Sequence, residues 1–227
     1  MSIRALNLSS QRIEVPVNMA FDYESSGTSE CCQHFILLHG YSETGIRIFK
    51  KIEPFLPADS LVLAPNGLFA IPQKIEGGYK VGFSWYFYDP SSDEYFIDMK
   101  PAIQFLSEGL TRLGIGKRPT TIIGFSQGGY LAPFLAEKLS CVTRVIGLSS
   151  NYLHEEIVSP PHFQIDAIHG ELDEIVDAGQ AQISHEILMK AGWSGRFHLL
   201  PKVGHRITPE VQKTLQILVG SKDAKNT

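Results

Sequence analysis

Eleven residues near the middle of the chain, Thr120-Thr121-Ile122-Ile123-Gly124-Phe125-Ser126-Gln127-Gly128-Gly129-Tyr130, constrain the fold most. They read as a short buried strand, a serine bracketed by glycines, and the opening of a helix. A turn this sharp forces the serine into a strained backbone conformation. Gly124 and Gly128 lack a Cβ, so strand and helix can close on each other without a clash. The Ser126 hydroxyl is then held above the sheet edge. The N–H of Gln127 falls at a helix N-terminus, where free donors and the helix dipole favour developing negative charge.

The rest of the chain alternates strand and helix patterns from residue 34 onward. His34-Phe35-Ile36-Leu37-Leu38 and Ser60–Ala64 are continuous apolar runs, as expected for parallel strands buried on both faces. Helices are expected over about 46–55, from an Asp98 cap to Leu113, 127–139, 177–190 and from Pro209, the last with Thr208 as its cap. Further strands are expected over 142–148, 163–168 and 196–200. The pattern implies βαβ units in a mostly parallel central sheet with helices on both faces. Two weakly alternating runs, Arg12–Val17 and Met19–Tyr23, read as an antiparallel ribbon at the N-terminal edge. Residues 66–96 show no sustained period and are dense in glycine and aromatic residues, among them Phe69, Trp85, Tyr88 and Phe96. They read as an irregular lid or binding segment, or as an insertion packing its own aromatics. At 227 residues the whole reads as one domain.

Composition narrows the function. The net charge of −4, with no basic block, argues against nucleic acid. No apolar stretch is long enough to span a bilayer, and no basic-then-apolar leader opens the chain. Three cysteines (Cys31, Cys32, Cys141) form neither a disulfide framework nor a paired metal motif, which fits a reducing, cytoplasmic location. His185-Glu186 begins like a zinc-protease pair, but Met189 stands where the second histidine is required. No phosphate-binding glycine loop is present, so neither metal nor cofactor is expected.

A serine hydroxyl needs a histidine to take its proton and an acid to orient that histidine. Ligands of parallel sheets bind beyond the carboxyl ends of the strands. Of eight histidines, His34 and His198 sit within strands and His185 sits mid-helix. His154 and His162 flank a loop with a double proline, and His39 and His169 precede glycines in turns. His205 alone follows the last strand and comes after both serine and acid, the order expected for an elbow serine. For the acid, Asp166 lies inside a strand and Asp177 opens a helix. Asp173 follows a strand directly and is preferred, with Glu171 and Glu174 as weaker competitors. The second oxyanion donor is expected from the N–H of Tyr41, in the loop His39-Gly40-Tyr41 after the first apolar strand, beside that of Gln127.

The motifs Leu38-His39-Gly40, Gly124-Phe125-Ser126-Gln127-Gly128-Gly129, His169-Gly170…Asp173 and Gly204-His205 resemble those of the phospholipase/carboxylesterase family of α/β hydrolases, over about residues 34–220. The resemblance implies an α/β-hydrolase fold, a catalytic triad of Ser126, Asp173 and His205, an oxyanion hole from Tyr41 and Gln127, and no cofactor. It also implies that Trp85, in Ser84-Trp85-Tyr86, faces the acyl pocket. The loop departs from the family, reading Tyr41-Ser42-Glu43 where the family has Leu-Gly-Asp. The implied activity is hydrolysis of carboxylic esters or thioesters, on a small-molecule or lipid substrate. Lysophospholipase and acyl-protein thioesterase are the alternatives among enzymes. From another class, a non-catalytic binding protein on the same scaffold is the rival, and the aromatic segment could equally bury itself in a homodimer.

Overall fold

The computed structural model describes residues 18–87, 98–157 and 162–220. Its strands are β1 (Tyr23–Ser26), β2 (Gln33–Leu38), β3 (Ser60–Pro65), β4 (Phe69–Ile75), β5 (Gly78–Ser84), β6 (Thr120–Phe125), β7 (Val142–Leu148), β8 (Gln164–Gly170) and β9 (Phe197–Leu200). The helices are α1 (Gly45–Ile52), α2 (Lys100–Arg112), α3 (Gln127–Ala136), α4 (Ala178–Lys190) and α5 (Pro209–Gly220). Seven strands form one sheet in the order β1-β3-β2-β6-β7-β8-β9. Every pairing is parallel except that of β1 with β3.

The alternation of side chains along β2 shows how the sheet makes two cores. Ile36 and Leu38 face one way, onto Leu106 and Leu110 of α2, Leu131 and Leu135 of α3 and Leu188 of α4. Phe35 and Leu37 face the other way, onto Ile48 and Ile52 of α1 and Val211, Leu215 and Leu218 of α5. Both faces are therefore covered, which is why the strands read as continuous apolar runs. Asp166, deep in β8, is satisfied rather than free. Arg144 Nε donates to Oδ2 at 2.7 Å and the Arg196 N–H donates to Oδ1 at 2.8 Å.

Three sequence expectations are corrected. The segment read as irregular contains a regular hairpin, β4–β5, in a two-stranded sheet of its own. Its two-residue connection is Glu76-Gly77, and Gly77 takes φ +81, a value that suits glycine. Pro72 and Gly82 break the apolar alternation, and both faces are partly exposed, so no period was visible. Tyr88, Pro90, Tyr95 and Phe96 lie outside the described residues. The N-terminal ribbon is not a hairpin of its own two runs, the first of which also lies outside the described residues. The polar stretch Tyr23–Ser26 supplies the strand and pairs with β3, so the antiparallel edge is present with a different partner. Finally, α2 starts one residue later than expected, with Met99 as the flanking residue, though Asp98 Oδ1 still accepts the Lys100 N–H at 3.1 Å.

Candidate active site

The strand-to-helix turn is built as its glycines require. Ser126 sits between β6 and α3 at φ 50, ψ −119, a strained conformation for a residue with a side chain. A Cβ on Gly124 would collide with the Gly128 carbonyl, and one on Gly128 with the Leu38 carbonyl of β2. Backbone therefore touches backbone on both sides of the serine. The Ser126 N–H donates to the Leu148 carbonyl at 2.9 Å, tying the turn to β7.

Two loops at the same edge of the sheet meet the serine. Asp173 follows β8 and His205 follows β9. His205 Nδ1 lies 2.9 and 3.0 Å from the two Asp173 oxygens, and its Nε2 lies 3.0 Å from Ser126 Oγ. A carboxylate only accepts, so the proton is on Nδ1 and Nε2 is left to accept from the serine hydroxyl. The Asp173 side chain is fully buried, and its Oδ1 also takes the N–H groups of Ile175 and Val176 at 3.0 and 2.9 Å. Burial alone would raise this carboxyl. The Val176 N–H, His205 and the Ile175 N–H outweigh it and hold the group below the usual carboxylate range. His169 closes the turn from behind, with Nε2–H donating to the Val176 carbonyl at 2.9 Å. Among the described residues, Glu171 and Glu174 make no bond to His205, and Asp177 caps α4 through the Gln180 N–H at 2.7 Å.

The loop 39–41 passes directly over the serine. A Cβ on Gly40 would stand 3.0 Å from the Phe125 ring and 3.4 Å from Ser126 Cβ. The N–H groups of Tyr41 and Gln127 find no acceptor among the described residues. Ser42, at the position the family fills with glycine, keeps a left-handed φ of 62. Its N–H donates to the Phe83 carbonyl of β5 at 2.8 Å, and Gln73 of β4 reaches its carbonyl and hydroxyl. Trp85 has no exposed surface and stacks on the His39 ring, with centroids 4.7 Å apart. The sequence reading, which set this indole before an acyl pocket, missed its packing on His39. The reading also missed the Gln127 side chain, which bonds to Trp85 and Tyr86. No local pattern announces a contact between residues so far apart in the chain. Among the described residues no group of three His, Cys, Asp or Glu side chains is gathered to hold a metal ion.

His39 gives the fold an acid-labile joint. Burial, opposed by the bond to the Gly40 carbonyl, lowers its pKa from 6.5 to about 4. Between those values the unfolded ring binds a proton that the folded ring refuses. Stability is thus fully present above about 6.5 and is lost as pH falls toward 4, by about 3 kcal/mol from this residue. His34, His185 and His198, also lowered by burial, act in the same direction. Urea unfolding across that window should show the loss, and His39→Gln should flatten the slope. An unchanged slope in the variant would exclude His39 as its source.

The doubly covered parallel sheet, with a sharp serine turn at the carboxyl edge of its central strand, is the architecture of an α/β hydrolase. The chain belongs to the phospholipase/carboxylesterase family, whose model matches residues 25–219. This is a family of ester hydrolases, described by its phospholipases and carboxylesterases. The chain is 25% identical over 184 residues to esterase YpfH of Escherichia coli (strain K12), covering 77% of this chain and 76% of that one. Its fold matches that of esterase PE8 with a TM-score of 0.74 at 21% identity, over 89% of this chain and 99% of that one. It matches Zea mays acyl-protein thioesterase 2 with a TM-score of 0.66 at 17% identity, over 88% and 97%.

Proposed function

We propose that this chain is a serine carboxylesterase that hydrolyses carboxylic esters, and thioesters by the same chemistry, through an acyl-enzyme. The observation that carries this is the line from the buried Asp173 carboxylate through His205 to Ser126 Oγ, with each separation at about 3 Å. Ser126 Oγ attacks the acyl carbon while His205 Nε2 takes its proton. The oxyanion accepts from the N–H groups of Tyr41 and Gln127, which have no other acceptor among the described residues. As the tetrahedral intermediate collapses, His205 returns the proton to the leaving alkoxide or thiolate. A water then gives its proton to His205 and attacks the acyl-enzyme, releasing the acid and restoring Ser126. Asp173 keeps the proton on Nδ1 and stabilises the imidazolium.

The side chains around this line favour an apolar substrate. Tyr41, Leu172 and Ile175, on the oxyanion and acid loops, are 53%, 58% and 73% exposed. Among the described residues no helix is long and apolar enough to cross a membrane.

A fluorophosphonate should label Ser126, and p-nitrophenyl esters from acetyl to palmitoyl should be turned over, with the chain-length optimum reporting pocket depth. A long-chain optimum would point to lipid or acyl-protein substrates. No adduct and no turnover would leave a binding protein on a hydrolase scaffold.

A further inference from the structure

Trp85 leaves β5 at a point where three hydrogen-bonded groups converge. Its indole Nε1–H donates to the His39 carbonyl at 2.8 Å, and its backbone N–H donates to Gln127 Oε1 at 3.0 Å. Gln127 returns a bond from Nε2 to the Tyr86 carbonyl at 2.8 Å, and the Ser84 hydroxyl lies between them. His39 is fixed just as tightly. Its Nδ1 meets the Gly40 carbonyl at 2.7 Å, and its Nε2 meets the Gly67 N–H at 2.9 Å. A carbonyl must accept and an N–H must donate, so the proton is on Nδ1 and Nε2 is bare.

The bond to Gly40 has a consequence one atom further on. The Gly40 carbonyl and the Tyr41 N–H belong to one peptide unit, and no peptide among the described residues is cis. In a planar trans peptide the C=O and N–H bonds point in opposite directions. Pinning the carbonyl on His39 therefore aims the Tyr41 N–H away from His39. The second donor, the N–H of Gln127, rises from a residue whose side chain the same Ser84–Tyr86 stretch holds.

We infer that Trp85, with His39 and the Gln127 side chain, forms a positioning unit that presets both oxyanion N–H groups. The inference rests on the esterase reading and says which residues keep its oxyanion site in register. It also ties that site to the β4–β5 hairpin, because Ser42, two residues past Gly40, is hydrogen-bonded to Phe83 and Gln73. Trp85 is a positioning residue in this account and touches no reacting atom.

Trp85→Phe keeps an aromatic ring against His39 and removes the Nε1–H. It should lower kcat roughly 10- to 100-fold on a p-nitrophenyl ester. KM should stay within about threefold, the mark of an interaction felt in the transition state. Affinity for a trifluoromethyl ketone, which forms a tetrahedral adduct on Ser126, should fall by the factor lost from kcat. Gln127→Met should act alike, and the double variant should lose less than the product of the two singles. A rise in KM at constant kcat would make Trp85 a substrate contact and overturn the inference. So would an unchanged kcat, or effects that simply multiply. Should neither variant fold, ¹⁵N spectra of wild-type His39 at neutral pH decide: a proton on Nδ1 supports the unit, and one on Nε2 overturns it. Failure of the esterase reading looks different, since wild type itself would then be inert and Ser126 unlabelled.

Discussion

Ser126→Ala should lower kcat/KM on p-nitrophenyl esters by roughly 10⁵- to 10⁶-fold while leaving a folded protein. The size follows from what the substitution removes. Without Oγ no acyl-enzyme forms, and His205 has only water to activate. What remains is whatever rate the oxyanion donors and the closed edge of the sheet confer on a water attack. The fold should tolerate the change, because among the described residues the Ser126 side chain bonds only to His205. The backbone strain at φ 50 is the same for alanine. The melting temperature should therefore move little, or rise, as is common when an active-site group is lost. Retained turnover in the folded variant would exclude Ser126 as nucleophile.

Asp173→Asn should lower kcat by roughly 10³- to 10⁴-fold, for a different reason. An asparagine can keep its oxygen toward Ile175 and Val176, so the turn after β8 survives. Its amide nitrogen then faces His205 Nδ1. A donor there makes Nδ1 an acceptor and moves the ring proton to Nε2, where it points at Ser126 Oγ. Nε2 can no longer take the serine proton, so the defect is one of tautomer rather than of assembly. KM should change far less than kcat, and fluorophosphonate labelling should slow in parallel with turnover. Asp177→Asn is the matched control: it keeps an acceptor for the Gln180 N–H at the cap of α4 and should leave kcat within about twofold. Equal losses in the two variants would remove Asp173 from its role.

Much of this arrangement is legible in the amino-acid sequence, for identifiable reasons. Strands β2, β3 and β8 announce themselves because parallel strands covered on both faces carry apolar residues at nearly every position. The serine, acid and histidine could be proposed because each follows a strand, and such loops lie on one edge of the sheet. Asp166 and Asp177 were set aside on position, and each is found engaged elsewhere. The hairpin was not legible. Its apolar residues are interrupted by Pro72 and Gly82, and its pairing is set by a turn, not by a core-facing stripe. The network around Trp85 was not legible either. It joins His39, Trp85 and Gln127, which are brought together only once β2, β5 and α3 have packed. Burial sets the Trp85 indole against His39.

The β4–β5 hairpin divides the molecule into parts with different freedom to change. Its strands pair with each other, and among the described residues they meet the body through one isolated β-bridge, Glu43 to Phe83, and through the bonds of Gln73 to Ser42 and of Ser84 to Gln127. Their register is therefore independent of the seven-stranded sheet. Adding or removing a pair of residues near Glu76-Gly77 shifts no central strand and disturbs neither core. Mutation can rewrite the tip of the hairpin while the stretch from Ser84 to Tyr86 stays as it is. The architecture thus supplies an exchangeable attachment on a fixed chassis, and its diversification leaves folding intact.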